Sequence, residues 1–280
     1  MSFYEKISKG IKQPKIMGIL NLTPDSFFDG GKYNDVNRSI LKINQMISDG
    51  ADIIDIGAVS TRPGSKPISY SEEKERLIPT IKLVRKLYPE IVLSVDTFCF
   101  KIAQDCIDLG VDIINNVNLF YNESKMMKVI SKNNKPYVLM HIRGNPETMQ
   151  QNPHYDDFQK DIILFFKNYI KKLNTFGIKN IIIDPGFGFG KSLDDNYKLM
   201  NMIPILKKFG YPVLIGISRK SMISKTLKTN AENSLNGTTI LNTIGVLFGA
   251  DIIRVHDVKE AVEIVKIFKK INKNKLINEQ

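Results

Sequence analysis

Ile181-Ile182-Ile183-Asp184-Pro185-Gly186 is the stretch that decides the fold: three β-branched residues end in a carboxylate and break at Pro-Gly. A run that is apolar at successive positions, rather than at alternate ones, is a strand buried on both faces, the mark of a parallel sheet. Seven similar runs flank it, at Lys15–Leu20, Ile53–Ile56, Ile91–Val95, Val111–Ile114, Tyr137–Met140, Val213–Ile217 and Ile252–Val255. At or just past the ends of the eight stand Asn21, Gly57, Asp96, Asn115, His141, Asp184, Lys220 and His256. The stretches between them have amphipathic helical patterning. Strand and helix therefore alternate throughout.

About eight such units close into a barrel with its active site at the carboxyl ends of the strands, which is where the polar residues fall. The expected fold is α/β, a single-domain (β/α)8 TIM barrel over residues 15–271, with an N-terminal extension over 1–14 and a polar tail over 272–280. The 280 residues match the roughly 250 typical of one such barrel. No run of about 18 apolar residues suggests a membrane span, and the first residues lack the apolar core of a secretory signal. Cys99 and Cys106 are too far apart on a helix to bond to each other and suit a reducing cytoplasm. The formal charge of +11 is spread over the helices and is densest from Lys266 to Lys275. With little aromatic interleaving, that tail is read as a solvated last helix rather than a nucleic-acid arm.

Three loops carry information. Those after the first two strands, Asn21–Gly31 and Gly57–Ser65, are rich in Gly, Pro, Ser and Asp, as lids over a site often are. The second contains Thr61-Arg62-Pro63-Gly64, a guanidinium and a hydroxyl on a restrained turn, suited to an anion. The third, Asp184-Pro-Gly-Phe-Gly-Phe-Gly-Lys191, lets backbone approach a ligand closely but lacks either phosphate-loop spacing. Its aromatics suit a flat ligand, with Asp184, Asp96 and Asn115 reading the edge of a nitrogen heterocycle. In Arg254-Val255-His256 the first and third residues share a face and form an anion site at the last strand. His141 could line the pocket, whereas His154 reads as surface. No zinc-type spacing is present.

Taken together, Met17–Phe27, Asp55–Gly64, Ser94–Thr97, Leu139–Gly144, Asp184–Gly190, Ser218–Lys220 and Arg254–Val258 resemble dihydropteroate synthase, in family order and spacing. The resemblance implies a transferase of folate biosynthesis, a sulfonamide target. Such an enzyme condenses para-aminobenzoate with (7,8-dihydropterin-6-yl)methyl diphosphate to give 7,8-dihydropteroate and diphosphate. Carried over by motif, Asn21 corresponds to a magnesium ligand, and Asp96, Asn115, Met140, Asp184, Phe189 and Lys220 to the pterin pocket. Thr61, Arg254 and His256 correspond to the diphosphate site, and Phe27, Thr61, Arg62, Pro63 and Ser221 to the para-aminobenzoate site. Lys220, Arg254 and His256 would be catalytic. The chain departs from the family pattern at Phe28, Val59 and Asn116.

A pterin-binding methyltransferase acting on a corrinoid shares the barrel and acidic slot, but the Ser-Thr-Arg-Pro-Gly loop and the Arg-Val-His anchor favour a diphosphate substrate. A nucleic-acid-binding protein would rest on net charge alone. The resemblance, and surplus apolar surface on the helix expected over Ser234–Gly249, also imply a homodimer.

Overall fold

A computed structural model describes residues 3–8, 13–22, 32–59, 68–144, 149 and 153–273. Phe27, Phe28, Thr61, Arg62 and Pro63 lie outside the described residues, so most of both substrate loops does too. The chain opens with α1 (Phe3–Ser8) and then runs β1 (Lys15–Asn21), α2 (Lys32–Asp49), β2 (Ile53–Gly57) and α3 (Tyr70–Leu87). It continues through β3 (Val92–Asp96), α4 (Phe100–Asp108), β4 (Ile113–Asn116), α5 (Glu123–Asn133), β5 (Tyr137–Met140) and α6 (Phe158–Thr175). The last third holds β6 (Ile181–Asp184), α7 (Leu193–Lys207), β7 (Leu214–Ile215), α8 (Ser221–Leu227), α9 (Leu235–Leu247), β8 (Ile252–Val255) and α10 (Val258–Lys273).

All pairings are parallel, and the eight strands run in the order β6-β5-β4-β3-β2-β1-β8-β7. A single bridge, Ile183 to Val213, joins the two ends and makes the sheet a nearly closed barrel. The expected α/β barrel is therefore the observed one. Strand limits differ from the expected runs at several places. β3 and β4 extend through Asp96 and Asn116, because a polar side chain at a strand end does not interrupt the backbone ladder. β7 shrinks to two residues where the expected run was Val213–Ile217.

Side chains alternate along each strand, and here the alternation separates two cores. Ile54, Ile56, Val95, Ile114, Leu139, Ile183 and Val255 point outward and pack with the helices. Met17, Ile53, Ile113, Val138, Ile182, Leu214 and Ile252 point inward and form the barrel floor, closed from below by Tyr4 and Ile7 of α1. The Tyr4 hydroxyl donates to the Ile181 carbonyl at 3.0 Å and accepts from the Ile181 amide at 3.1 Å. Two residues beyond the floor on the same strands come Asp55, Asn115, Met140, Asp184 and Arg254. The polar layer thus begins one step above an apolar floor.

Helix ends are locally specified. Ser69 and Asp157 cap α3 and α6 through their side chains, and Ser192 with Asp195 forms a reciprocal capping box on α7. Cys99 and Cys106 are both free thiols. No helix among the described residues is long and apolar enough to cross a membrane.

Candidate active site

The inward layer is an ion-pair network. Asp55 is fully buried, and its Oδ2 accepts from Arg254 Nε at 2.7 Å and from Asn115 Nδ2 at 3.1 Å. Arg254 Nη2 reaches Asp96 Oδ2 at 3.1 Å. The Arg254 guanidinium is a rigid planar fork, so it holds two carboxylates on two strands at once. Across the barrel, Asp184 Oδ1 accepts from the Gly186 amide at 2.7 Å. Expected pterin-edge residues Asp96, Asn115 and Asp184 are all buried and all in this layer.

Burial raises the Asp96 pKa to about 7; Arg254 opposes the rise, while Asp55, Glu73 and Asp184 add to it. Burial also raises Asp184, against the pull of the Gly186 amide and Lys220. Lys220 is pushed down to about 8 by desolvation, held back by Asp184. Its Nζ donates to the Phe187 carbonyl and sits 4.5 Å from the centre of the Phe189 ring. Phe189 packs in turn on a small apolar cluster that includes Val117 and Met140. An aromatic face, a thioether and an ammonium therefore gather around three acidic or amide edge groups, a fit for a flat, polar-edged ring.

The loop from Asp184 to Lys191 explains its own composition. Gly186 and Gly190 have φ of 71° and 64°, and a Cβ at either would fall 1.9 Å from the His141 carbonyl oxygen or 2.2 Å from that of Arg143. Lys191 fastens the loop from below. Its buried Nζ donates to the Gly186 carbonyl at 2.8 Å and the Phe189 carbonyl at 3.0 Å, and lies 2.9 Å from His141 Nδ1. His141 is thus not a pocket residue. It follows inward-facing Met140, so the alternation turns its ring outward onto Phe165. His154 is exposed and paired with Asp156, as expected of a surface residue.

At the mouth, Ser218 Oγ accepts from the His256 amide at 3.2 Å and lies 3.1 Å from His256 Nδ1. A hydroxyl that donates to Nδ1 leaves the proton on Nε2, free for a phosphate oxygen. Loss of water on the inner side, with repulsion from Arg254, holds the imidazole below its ordinary value although its rim is open. Arg219 has a different task from its neighbours. It sits at φ 55°, forks onto Asp257, and donates to the carbonyls of Ala231 and Glu232, tying the α8–α9 connection to the start of α10. Ser221 is exposed at the first position of α8, immediately after Lys220. Asn21 is exposed at the rim end of β1.

Three participants escape the sequence reading. Asp55 hides inside a run read as apolar, although its inward phase, two residues after Ile53, is an available signal. Glu73 on α3 accepts from Thr97 Oγ1 at 2.5 Å just behind Asp96, and burial raises it to about 7. Nothing in the sequence marks it out from the other acidic residues of α3. Lys191 carries no signal beyond closing the glycine loop. Asn116 faces outward and donates to the Tyr137 hydroxyl at 2.9 Å, so that departure from the family pattern lies outside the slot.

Residues 17–256 match the family model described as pterin binding enzyme. The dihydropteroate synthase of Clostridium beijerinckii is 43% identical over 248 residues, 88% of this chain and 89% of that one. The chain belongs to the dihydropteroate synthase family. Its fold is shared with the Yersinia pestis dihydropteroate synthase solved with a sulfonamide drug, at a TM-score of 0.87 and 38% identity over 93% of this chain and 95% of that one. The Xanthomonas albilineans dihydropteroate synthase solved with 4-aminobenzoic acid gives a TM-score of 0.86 and 34% identity, covering 93% and 94%. These matches favour a dihydropteroate synthase, a transferase of folate biosynthesis, over the corrinoid methyltransferase.

Proposed function

We propose that the barrel condenses para-aminobenzoate with (7,8-dihydropterin-6-yl)methyl diphosphate through the residues described above. The observation that supports this assignment is the inward ring of Asp96, Asn115 and Asp184 lying beside Arg254, with His256 two residues further on at the mouth. Carboxylates at Asp96 and Asp184 accept from ring and exocyclic N–H groups, and the Asn115 amide offers a neutral acceptor. Phe189 and Met140 cover the ring faces, and Lys220 reaches over the slot.

The methylene C–O bond breaks with its electron pair leaving on diphosphate. Arg254 and His256 meet the negative charge as it grows on the departing oxygens, where preorganised donors are most effective. The arylamine lone pair then forms the C–N bond, and its surplus proton passes to the released diphosphate or to water. An aromatic amine is neutral at pH 7, so no strong base is required. Thr61, Phe27, Arg62, Pro63 and Ser221 are assigned to diphosphate and para-aminobenzoate at the loops on sequence grounds, with exposed Ser221 beside Lys220 the one member that the described residues include.

Magnesium fits the rim at Asn21. A hard cation that keeps most of its water and takes phosphate oxygens needs few protein ligands, and an exposed amide carbonyl is a suitable one. When bound, the ion would withdraw charge from the diphosphate. Formation of dihydropteroate from the two substrates, assayed with and without magnesium, tests the proposal. No product in either condition would reject the activity, and equal rates in both would reject the metal.

The slot should also titrate. Pterin affinity is expected to rise as pH passes through about 7, where Asp96 loses its proton and gains acceptor capacity. It should fall again above about 8, where Lys220 loses its charge. Calorimetric titration with a pterin across that range checks this: a profile without the rise would remove Asp96 from the slot, and one without the fall would remove Lys220.

The homodimer is supported by apolar surface on α9 and α10. Leu247, Ile267 and Ile271 are 61%, 62% and 55% exposed, and they line a groove between the two helices. Burying such a patch in a second copy is the ordinary way to remove it from water. Light scattering at micromolar concentration decides it, a mass near the 31.8 kDa of one chain being the contrary result. Two free thiols support a reducing, cytoplasmic setting.

A further inference from the structure

Asp55 occupies a place in the network that the pterin and diphosphate assignments leave unused. It is fully buried on β2 and its Oδ2 is shared by Arg254 Nε and Asn115 Nδ2. A carboxylate can only accept, so the amide of Asn115 must turn its NH2 toward Asp55. Its Oδ1 therefore faces away from Asp55, and that oxygen is buried with no hydrogen-bond partner among the described residues. Asp55 Oδ1 is likewise buried and has no partner among the described residues. Buried acceptors left open in this way are costly without a ligand or water to supply donors.

We propose that Asp55 is the positioning residue of the pterin slot: it fixes the polarity of Asn115, so that the slot presents acceptors and selects heterocycles with ring N–H donors, and it holds Arg254 at the junction with the diphosphate. The proposal rests on the pterin reading and deepens it. One carboxylate sets both the donor–acceptor code of the ring site and the place of the anion anchor. A ring whose edge offers an acceptor to Asn115 meets lone pair against lone pair and is rejected.

The test is a coupling measurement on a pterin without phosphates, so that Arg254 contributes little to binding. In Asp55→Asn, one amide orientation sets NH2 against the two donors. The other leaves an unmatched buried NH2 and a weaker neutral acceptor. Affinity should fall about tenfold or more. In an Asn115→Ala background the same change should cost less than about twofold, because the group being oriented is gone. Equal losses in both backgrounds, or no loss in either, would overturn the assignment.

Asn115→Asp supplies a second arm that needs no change at position 55. It keeps an acceptor toward the ligand but sets a carboxylate against Asp55. A loss of about tenfold or more supports the coupling, and wild-type affinity overturns it. Wild-type protein that binds no pterin would instead reject the underlying reading. Wild-type binding with indifferent variants would reject only the role of Asp55.

Discussion

Arg254→Ala is expected to lower kcat by about two to three orders of magnitude, the usual loss when a preorganised donor to developing charge is removed. The side chain is held between Asp55 and Asp96, so it is in place before the diphosphate arrives and no reorganisation accompanies bond breaking. A pterin without phosphates should lose far less affinity. It should lose some at pH 7, because Arg254 opposes the upward displacement of the Asp96 pKa and its removal lets that carboxyl rise further. The deficit should shrink toward pH 8 as more of the Asp96 population ionises. Steady-state kinetics with the diphosphate substrate and calorimetry with the phosphate-free ring separate the two effects. Equal losses for both ligands would make Arg254 a structural cation only.

Asp184→Asn should cost about 2–4 kcal/mol of pterin binding, on the order of 30- to 1000-fold in affinity. The geometry removes the usual ambiguity of an amide substitution. Oδ1 of Asp184 accepts from the Gly186 amide, and an asparagine keeps that bond only through its carbonyl. The NH2 is then forced into the position of Oδ2, where it meets the ring donors as a donor. Affinity for para-aminobenzoate should be little changed. Calorimetry on a variant with an unaltered melting temperature is the measurement, and undiminished pterin affinity would remove Asp184 from the slot.

The barrel is legible in the sequence because a double-sided burial pattern leaves few alternatives, and nearly every strand run is followed by a polar residue at or just past its end. Asp96, Asn115 and Asp184 stand out for the same reason: each lies at or next to a strand end, where chemistry in this fold resides. Asp55 cannot, because a lone carboxylate inside an apolar run looks like noise until the inward phase is counted from Ile53. His141 misleads for the complementary reason. It follows Met140 at a strand end but in the outward phase, so proximity to the mouth is not access to it. Glu73 comes from a helix, and only the folded molecule brings α3 behind β3. Lys191 needs the loop carbonyls to converge before its buried amine makes sense.

The seam between β6 and β7 has a consequence for how substrate and scaffold depend on each other. Every other neighbouring pair of strands shares a run of ladder residues, while this pair is joined by the bridge from Ile183 to Val213 alone. Asp184 ends the strand on one side of that seam, and Lys220 follows the strand on the other. On the proposed assignment, a pterin gripped by both would lie across the thinnest part of the hoop like a buckle across a belt. Substrate would then complete the circumference that the backbone leaves almost open, and the barrel would be most nearly whole when at work.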